Sequence, residues 1–299
     1  MWHRLLTELQ QGNTKAIART ISLVENEAPG HENFLENLNY DQHAHLIGIT
    51  GPPGAGKSTI VDLLIGHFVN QNKKIAVLCV DPSSPFHLGA LLGDRIRMST
   101  WYNHPAVFIR SLATRGSLGG LHPRIIEITD ILRTAGFDKI IIETVGVGQS
   151  EIEIAGLADT TVVILVPEAG DEIQTMKAGL MEIADIFVVN KADRPDADTF
   201  ASNLRKMLLS SNLTPSEAIP IIKTTASQND GIDDLAGSID LHGSLQQKNK
   251  RKIYLLTEKA WHLLRNKRMQ NFSKHKLKEI LEEIMEKGNV NVYKLVASL

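Results

Sequence analysis

Short apolar runs alternate with amphipathic stretches through the middle of the chain, from about Asp41 to Gly231. The apolar runs have the length of strands, are rich in β-branched residues and are separated by stretches with helical spacing. The predicted strands are 46–50, 75–80, 107–109, 139–143, 161–166, 186–190 and 219–223. Apolar strands that alternate with helices are typical of a mainly parallel sheet covered by helices on both faces. The predicted fold class is therefore α/β, with helical extensions at both ends.

The two ends of the chain carry helical patterns of their own. Apolar residues near the N-terminus recur at helical spacing on both sides of Asn13, a predicted helix cap. Residues 240–247 are polar and predict an irregular connection, after which two helical runs follow. We therefore predict an N-terminal helical segment at 1–40, an α/β domain at 41–238 and a C-terminal helical arm at 239–299. The apolar faces of this arm suit dimerisation.

A phosphate-binding pattern, G-x-x-x-x-G-K-[ST], follows the first predicted strand and precedes an apolar helix. Its glycines let backbone N–H groups close around phosphate oxygens at a helix N-terminus. Lys57 is expected to reach the β- and γ-phosphates, and the Ser58 hydroxyl to bind Mg²⁺. The predicted nucleotide-binding residues here are Gly51, Pro52, Pro53, Gly54, Ala55, Gly56, Lys57, Ser58 and Thr59.

A second motif, Asn190-Lys191-Ala192-Asp193, follows the predicted strand 186–190. The carboxylate of Asp193 can accept hydrogen bonds from N1–H and the exocyclic amine of guanine, whereas adenine offers no such pair. A buried acceptor rejects a ligand that leaves it unpaired. Thr225 and Ala226 follow the next strand, where a backbone amide can reach guanine O6. The sequence therefore predicts GTP and GDP as ligands rather than ATP.

Carboxylates at the ends of other predicted strands suggest a metal and hydrolysis site. Asp81 follows strand 75–80 and is expected to bind Mg²⁺ directly or through water, beside Ser58. Glu143 ends strand 139–143 and begins Glu143-Thr144-Val145-Gly146, where small GTPases carry D-x-x-G. Glu143 is a second predicted metal residue, and the Gly146 amide is expected to contact the γ-phosphate. Asp94 is a candidate for positioning the attacking water, or else a helix cap.

The roles of several loop residues stay open. Gln149 is either a catalytic side chain or a polar residue at the start of a helix. Arg95 and Arg115 are either charge donors to the phosphates or members of salt bridges. The acidic loop 167–177 is either a surface loop or a third nucleotide-sensitive segment.

Composition narrows the classes of function. The chain has 299 residues, a length that fits one nucleotide-binding domain with smaller flanking pieces. Its net charge of −2 does not indicate a broad nucleic-acid surface. The basic run 248–252 is read as a solvated linker rather than a nucleic-acid contact. Its one cysteine, Cys79, lies in a predicted strand and suits a reducing compartment. No apolar run approaches the ~20 residues of a membrane span, so we expect a cytoplasmic protein without a membrane partner.

Taken together, these motifs resemble the MeaB/ArgK family, the GTPase chaperones of methylmalonyl-CoA mutase. The resemblance covers nearly the whole chain. Its departure is at Glu168, where the family carries the first glycine of a G-x-G-D sequence in its third switch. The matching strings are residues 51–59, 80–85, 89–95, 115–120, 143–151 and 184–193.

The resemblance implies a homodimeric, Mg²⁺-dependent P-loop GTPase. Such proteins bind an adenosylcobalamin-dependent acyl-CoA mutase, control the loading of its cofactor and help to replace damaged cofactor. In the family, the residues matching Lys57, Asp81, Asp94 and Glu143 act in metal binding or hydrolysis. Two alternatives stay open: a nickel-insertion GTPase of related architecture, and the transport-linked kinase of older family descriptions.

Overall fold

The structure is a computed structural model. It describes residues 1–38, 44–81, 98–114, 121–144, 150–169, 178–209, 219–246, 250–269, 274–287 and 292–298. Within these residues the chain forms two compact units, 1–252 and 253–299. The domain boundaries predicted after residues 40 and 238 stay predictions.

Seven parallel strands form one sheet in the order β3-β2-β4-β1-β5-β6-β7, which confirms the predicted α/β class. The strands are β1 His45–Thr50, β2 Ile75–Asp81, β3 Val107–Ala113, β4 Lys139–Glu143, β5 Thr160–Leu165, β6 Ile186–Asn190 and β7 Ile221–Thr224. Because β1 lies at the centre, its carboxyl end is flanked by those of β4 and β5. The ends of parallel strands meet at one edge, which is where α/β proteins bind nucleotides.

Two strands differ from their predicted bounds by two residues or more at one end. β3 continues to Ala113 instead of ending at residue 109, because the polar Arg110 stays in the strand while its side chain binds a neighbouring helix. β7 begins at Ile221 rather than at residue 219. Both differences lie at edge strands of the sheet, where the apolar pattern is weakest.

Helices of the first unit connect and cover these strands. They are α1 Trp2–Gln10, α2 Thr14–Glu25, α3 His31–Glu36, α4 Lys57–Asn70, α5 Ile125–Thr134, α6 Ser150–Ala155, α7 Ala178–Ile183, α8 Ala197–Leu209 and α9 Ile232–Gln246. The first three confirm the predicted helical N-terminus. Asn13 caps α2 as predicted, since its side-chain oxygen accepts a 3.0 Å hydrogen bond from the backbone N–H of Ala16.

Both faces of the sheet are buried by helices. On one face, α4 and α9 contribute Phe68 and Leu235 to a core that also contains Cys79, as expected for a small buried side chain. On the other face, α6 approaches β1 closely at Gly48, where an added Cβ would lie 2.5 Å from Cγ1 of Ile154. A larger residue at this position would therefore push the helix away from the central strand.

Ionic contacts attach α2 to the edge strand β3. The Arg110 guanidinium donates a 3.0 Å hydrogen bond to the Ser22 hydroxyl and forms an ion pair with Glu25. The buried ring of His122 lies beside the same carboxylate, with Nε2 3.4 Å from Glu25 Oε1. These contacts make the N-terminal helices part of the first compact unit.

A second polar cluster lies at the amino ends of β1, β4 and β5. His45 Nε2 lies 2.8 Å from the Thr160 hydroxyl, and His45 Nδ1 lies 3.2 Å from Lys139 Nζ. From α9, His242 Nδ1 lies 2.7 Å from the same Thr160 hydroxyl, and Asp240 forms an ion pair with Lys139. Burial, and then the charge of Lys139, lowers the pKa of His45 to about 3.

This cluster corrects one prediction. Residues 240–247 are not an irregular connection, because α9 continues through Gln246. Asp240 and His242 are polar because they bind the end of the sheet rather than because they lie in a loop. The polar pattern of these residues led to the wrong expectation, because tertiary contacts decide the structure here.

The second unit is helical in the residues that the structure describes. α10 spans Lys250–Met269 and begins in the first unit, and it is followed by α11 Lys274–Lys287 and α12 Val292–Ser298. Large apolar side chains on these helices are exposed, including Trp261 at 62% and Tyr293 at 88%. No helix in the described part of the chain is long and apolar enough to cross a membrane.

Candidate functional site

The phosphate loop connects the end of β1 to the start of α4. Its backbone requires glycine at two close approaches. Gly51 has φ of 140°, and a Cβ there would lie 2.1 Å from the carbonyl oxygen of Ile164. Gly56, directly before α4, has φ of 91°, and a Cβ there would lie 2.3 Å from Nδ2 of Asn190. At these two positions the loop therefore packs against the ends of β5 and β6 with no room for a side chain.

The side chain of Lys57 folds back over this loop. Its Nζ atom donates hydrogen bonds of 2.9 Å to the carbonyl oxygen of Gly51 and 3.1 Å to that of Pro52. Lys57 is also buried, although it carries an ammonium group. The loop carbonyls thus hold a positive charge above the N-terminus of α4, where both the charge and the helix dipole favour an anion.

Three oxygen-bearing side chains lie at the start of α4 and at the ends of the paired strands β4 and β2. The Ser58 hydroxyl donates a 2.7 Å hydrogen bond to Oε1 of Glu143, at the end of β4. Asp81 ends the neighbouring strand β2, whose residue Cys79 is paired with Glu143 in the sheet. Ser58, Asp81 and Glu143 are all buried. Two carboxylates and a hydroxyl are the oxygen donors that Mg²⁺ prefers, so the residues present fit this ion.

Asn190 joins the phosphate loop to the ends of β6 and β7. Its side-chain Nδ2 donates a 2.8 Å hydrogen bond to the carbonyl oxygen of Ala55. Its Oδ1 accepts hydrogen bonds from the Thr224 hydroxyl at 3.1 Å and from the backbone N–H of Ala226 at 3.2 Å. The predicted residues Ala55, Asn190 and Ala226 are therefore brought together by one buried amide, and the predicted Thr225 lies between its two partners Thr224 and Ala226 in the chain.

The turn after β6 carries the predicted base-recognition residue. Lys191 has φ of 57°, a left-handed conformation, and the backbone N–H of Ala192 donates a 3.0 Å hydrogen bond to the carbonyl oxygen of Thr224. These features hold the turn against the end of β7. Asp193 itself is exposed. The acceptor that we expected to be buried would thus become buried only beneath a bound base.

Some predicted residues lie outside the described part of the chain. Asp94 and Gly146 are among them, as are the open candidates Arg95, Arg115 and Gln149. Their assignments stay predictions.

The start of the acidic loop 167–177 is described, and there Glu168 forms an ion pair with Arg194. Arg194 directly follows Asp193 in the chain, so the residue that departs from the family sequence contacts the predicted base-recognition turn.

The sequence interpretation missed a pair of buried hydroxyls at this edge. The Thr144 hydroxyl donates a 2.8 Å hydrogen bond to that of Thr50, the residue before the phosphate loop. A signal was present in the sequence, because a threonine ends the apolar run 46–50 and another directly follows Glu143 after the isoleucines 140–142. Nothing in the sequence indicated that the two side chains face each other.

A parallel sheet with a phosphate loop after its central strand and an N-K-x-D turn after β6 defines the class of P-loop GTPases, and this protein is a GTPase. Within that class the chain belongs to the MeaB family. It matches the family model described as methylmalonyl Co-A mutase-associated GTPase MeaB over residues 17–280. The family resemblance seen in the sequence is thereby confirmed.

Similar proteins agree with this assignment. A protein of Pyrococcus abyssi that carries a GTPase name is 44% identical over 264 residues, which are 85% of this chain and 82% of that protein. A fused isobutyryl-CoA mutase of Geobacillus kaustophilus is 37% identical over 237 residues, which are 75% of this chain and 22% of the fused protein. The crystal structure of a LAO/AO transport system kinase superposes with a TM-score of 0.68 at 27% identity, covering 94% of this chain and 85% of that one.

Proposed function

We propose that this protein is a Mg²⁺-dependent GTPase that acts as a chaperone of an adenosylcobalamin-dependent acyl-CoA mutase. In this role it controls the loading of the mutase cofactor and helps to protect or reactivate the enzyme. The observation that carries the proposal is the fused isobutyryl-CoA mutase, which contains a region similar to three quarters of this chain. A region similar to this chain is thus part of one protein named as a mutase, and the family description names a mutase as well.

The proposed site divides its work among the residues around the phosphate loop. Lys57 binds the β- and γ-phosphates. Ser58, Asp81 and Glu143 would hold Mg²⁺, and the ion would supply positive charge beside the phosphates. Water attacks the γ-phosphorus, the bond to the β–γ bridging oxygen breaks, and GDP and phosphate are released. Asp94 is the proposed residue that positions this water, and the Gly146 amide is the proposed γ-phosphate contact.

Base selection is assigned to the other side of the phosphate loop. Asp193 accepts hydrogen bonds from guanine N1–H and the exocyclic amine, while Asn190 and Lys191 hold the turn that carries it. Thr225 and Ala226 contribute backbone near guanine O6. This assignment is supported by the three hydrogen bonds of Asn190, which join the turn, the phosphate loop and the β7 end.

We further propose that the protein is a homodimer through its C-terminal helices. The support is the set of large apolar side chains that these helices expose, since exposed apolar surface of this kind is typical of protein interfaces. Sedimentation equilibrium of the intact protein and of a Trp261→Glu variant tests this point. We expect a dimer for the first and a larger monomer fraction for the second.

The chaperone proposal is tested by the binding of the purified protein to a purified isobutyryl-CoA mutase and a methylmalonyl-CoA mutase. Binding is measured with GDP and with a non-hydrolysable GTP analogue. We expect the affinity for the mutase to differ between the two nucleotide-bound forms. A partner can distinguish them only if it binds two conformations of the loops around the nucleotide with different affinities. No association in either state would overturn the proposal. Labelled GTP that modifies a protein instead of releasing phosphate would favour the kinase alternative.

A further inference from the structure

The hydroxyl pair Thr50–Thr144 connects the start of the phosphate loop to the predicted motif Glu143-Thr144-Val145-Gly146. Thr50 is the last residue of β1 and directly precedes Gly51, while Thr144 directly follows Glu143 at the end of β4. The backbone N–H of Thr144 also donates a 3.0 Å hydrogen bond to the carbonyl oxygen of Ile49. Both threonine side chains are buried, at 0% and 1% exposure.

Besides this backbone bond, two side-chain hydrogen bonds connect the same two segments within a few residues. One is the Ser58–Glu143 bond, and the other is the Thr144–Thr50 bond. The first involves two proposed metal residues and must rearrange when an ion binds. The second involves neither of them, so it can persist through that change and keep the end of β4 fixed against the start of the phosphate loop.

Burying two hydroxyls is costly unless they bond to each other. Three isoleucines, Ile140 to Ile142, precede Glu143 in β4, and valine would fill the volume of Thr144 without a polar atom. The position thus carries a hydrogen bond where packing alone would favour a hydrocarbon side chain.

We propose that the Thr144–Thr50 hydrogen bond positions the Glu143 carboxylate, so that Thr144 is a positioning residue that sets the Mg²⁺ requirement for nucleotide retention. This inference rests on the proposed Mg²⁺-dependent GTPase function. Loss of the bond leaves Glu143 able to reach the ion but less often in the correct place, and the apparent Mg²⁺ affinity falls. Retention of GDP then requires more Mg²⁺.

The experiment measures the dissociation rate of a fluorescent GDP analogue as a function of Mg²⁺ concentration. Variants are Thr144→Val, which removes the hydroxyl, and Thr144→Ser, which keeps it. The matched control is Thr161→Val in β5, because Thr161 is fully buried at the opposite end of the sheet and its hydroxyl has no hydrogen bond to any residue that the structure describes.

We expect Thr144→Val to raise the Mg²⁺ concentration at half-maximal retention about fivefold, the ratio that corresponds to one net hydrogen bond. Thr144→Ser and Thr161→Val should stay within about twofold of wild type, a smaller change than one net hydrogen bond gives. A merely structural role would lower the melting temperature of Thr144→Val and leave its Mg²⁺ midpoint unchanged. That result, or an equal shift in Thr144→Ser, would overturn the inference.

A Thr50→Val/Thr144→Val double variant carries the test if Thr144→Val does not fold. Replacing both partners by apolar groups of the same shape avoids an unpaired buried hydroxyl and can be nearly neutral for stability. The same Mg²⁺ shift is expected in this variant, and its absence would overturn the inference. A wild-type protein whose GDP release ignores Mg²⁺ would instead overturn the proposed metal site, and with it this role for Thr144.

Discussion

The side-chain amide of Asn190 donates a 2.8 Å hydrogen bond to the carbonyl oxygen of Ala55, and so ties the end of β6 to the phosphate loop. Its oxygen also accepts a hydrogen bond from the backbone N–H of Ala226. One buried side chain thereby connects the proposed phosphate-binding and base-binding parts of the site. Asn190 is therefore expected to act by holding these parts of the protein together, and not only by contacting the ligand.

Asn190→Ala is expected to weaken GTP binding and to destabilise the protein, because the substitution leaves a buried backbone N–H and carbonyl without their partner. The expected loss in the free energy of unfolding is about 1–3 kcal/mol. Calorimetric GTP titration and urea unfolding measure the two effects. Asn37→Ala, at an exposed asparagine of the N-terminal segment, is the control. Unchanged GTP affinity in Asn190→Ala would contradict the role given to this amide.

Lys57→Ala should reduce the rate of GTP hydrolysis by about 10²–10³, the range seen when one preorganised donor to a developing negative charge is removed. The preference for GTP over GDP should fall as well, since the missing ammonium is expected to contact the γ-phosphate. Phosphate release under single-turnover conditions measures the first effect. Lys74→Ala, an exposed lysine before β2, should behave like wild type. Near-normal turnover in Lys57→Ala would refute the assignment.

Asp193→Asn should weaken GTP binding by about 1.5–3 kcal/mol, the contribution of hydrogen bonds to a charged group. The same variant should gain affinity for xanthosine triphosphate, because a carbonyl at C2 can accept a hydrogen bond from the new amide. Competition of GTP, ATP and xanthosine triphosphate for a fluorescent nucleotide measures this exchange. Asp196→Asn makes the same change of charge three residues away. An unaltered preference for GTP in Asp193→Asn would place base recognition elsewhere.

Gly56→Ala should destabilise the protein more than Gly54→Ala. Both glycines have positive φ values, of 91° and 77°, so both alanines carry a backbone cost of about 1–2 kcal/mol. Only at Gly56 would the added Cβ meet another atom, Nδ2 of Asn190 at 2.3 Å, whereas nothing described lies within 4 Å at Gly54. Urea unfolding without nucleotide compares the two variants. Equal losses would show that the contact with Asn190 does not restrict Gly56.

Acid should destabilise the protein through His45. Burial beside Lys139 lowers its pKa to about 3 in the folded protein, against 6.5 for an ordinary histidine. Between these values the unfolded chain binds a proton that the folded protein excludes, so the stability present above pH 6.5 is progressively lost as the pH falls towards 3. The contribution is at most about 1.4 kcal/mol per pH unit.

His45→Gln should therefore flatten the dependence of the unfolding free energy on pH between pH 6.5 and 4. His3→Gln, at an exposed histidine, should leave this dependence as it is in wild type. Urea unfolding at several pH values provides the comparison. A slope that His45→Gln leaves unchanged would assign the acid sensitivity to other groups.

The sheet could be predicted from the sequence because its strands are nearly pure apolar runs between helical stretches. The phosphate loop and the N-K-x-D turn could be predicted because their spacing follows from ligand geometry, and glycine at position 56 is required by the backbone itself. The predicted boundaries of β3 and α9 were wrong at Arg110 and Asp240, because each of these polar side chains binds a partner that is distant in the sequence. Local pattern carries no information on such partners.

The side-chain contacts at the nucleotide edge could not be predicted in the same way. That Ser58 bonds to Glu143, or Thr144 to Thr50, depends on the register of β1 against β4, which only the assembled sheet fixes. The resemblance to a known family identified Glu143 as a site residue but said nothing of the threonine next to it. Contacts between strand ends are therefore the part of the site that required a structure.

The strand order has a consequence for how this protein can change. The carboxylates Asp81 and Glu143 end strands on one side of β1, whereas Asp193 and Ala226 follow strands on its other side. The residues proposed for purine choice and those proposed for the metal thus occupy separate halves of one edge, and Asn190 connects the first half to the phosphate loop. Substitutions in one half can change its property without altering the other half. Purine choice and metal binding are therefore independently adjustable by selection or by design.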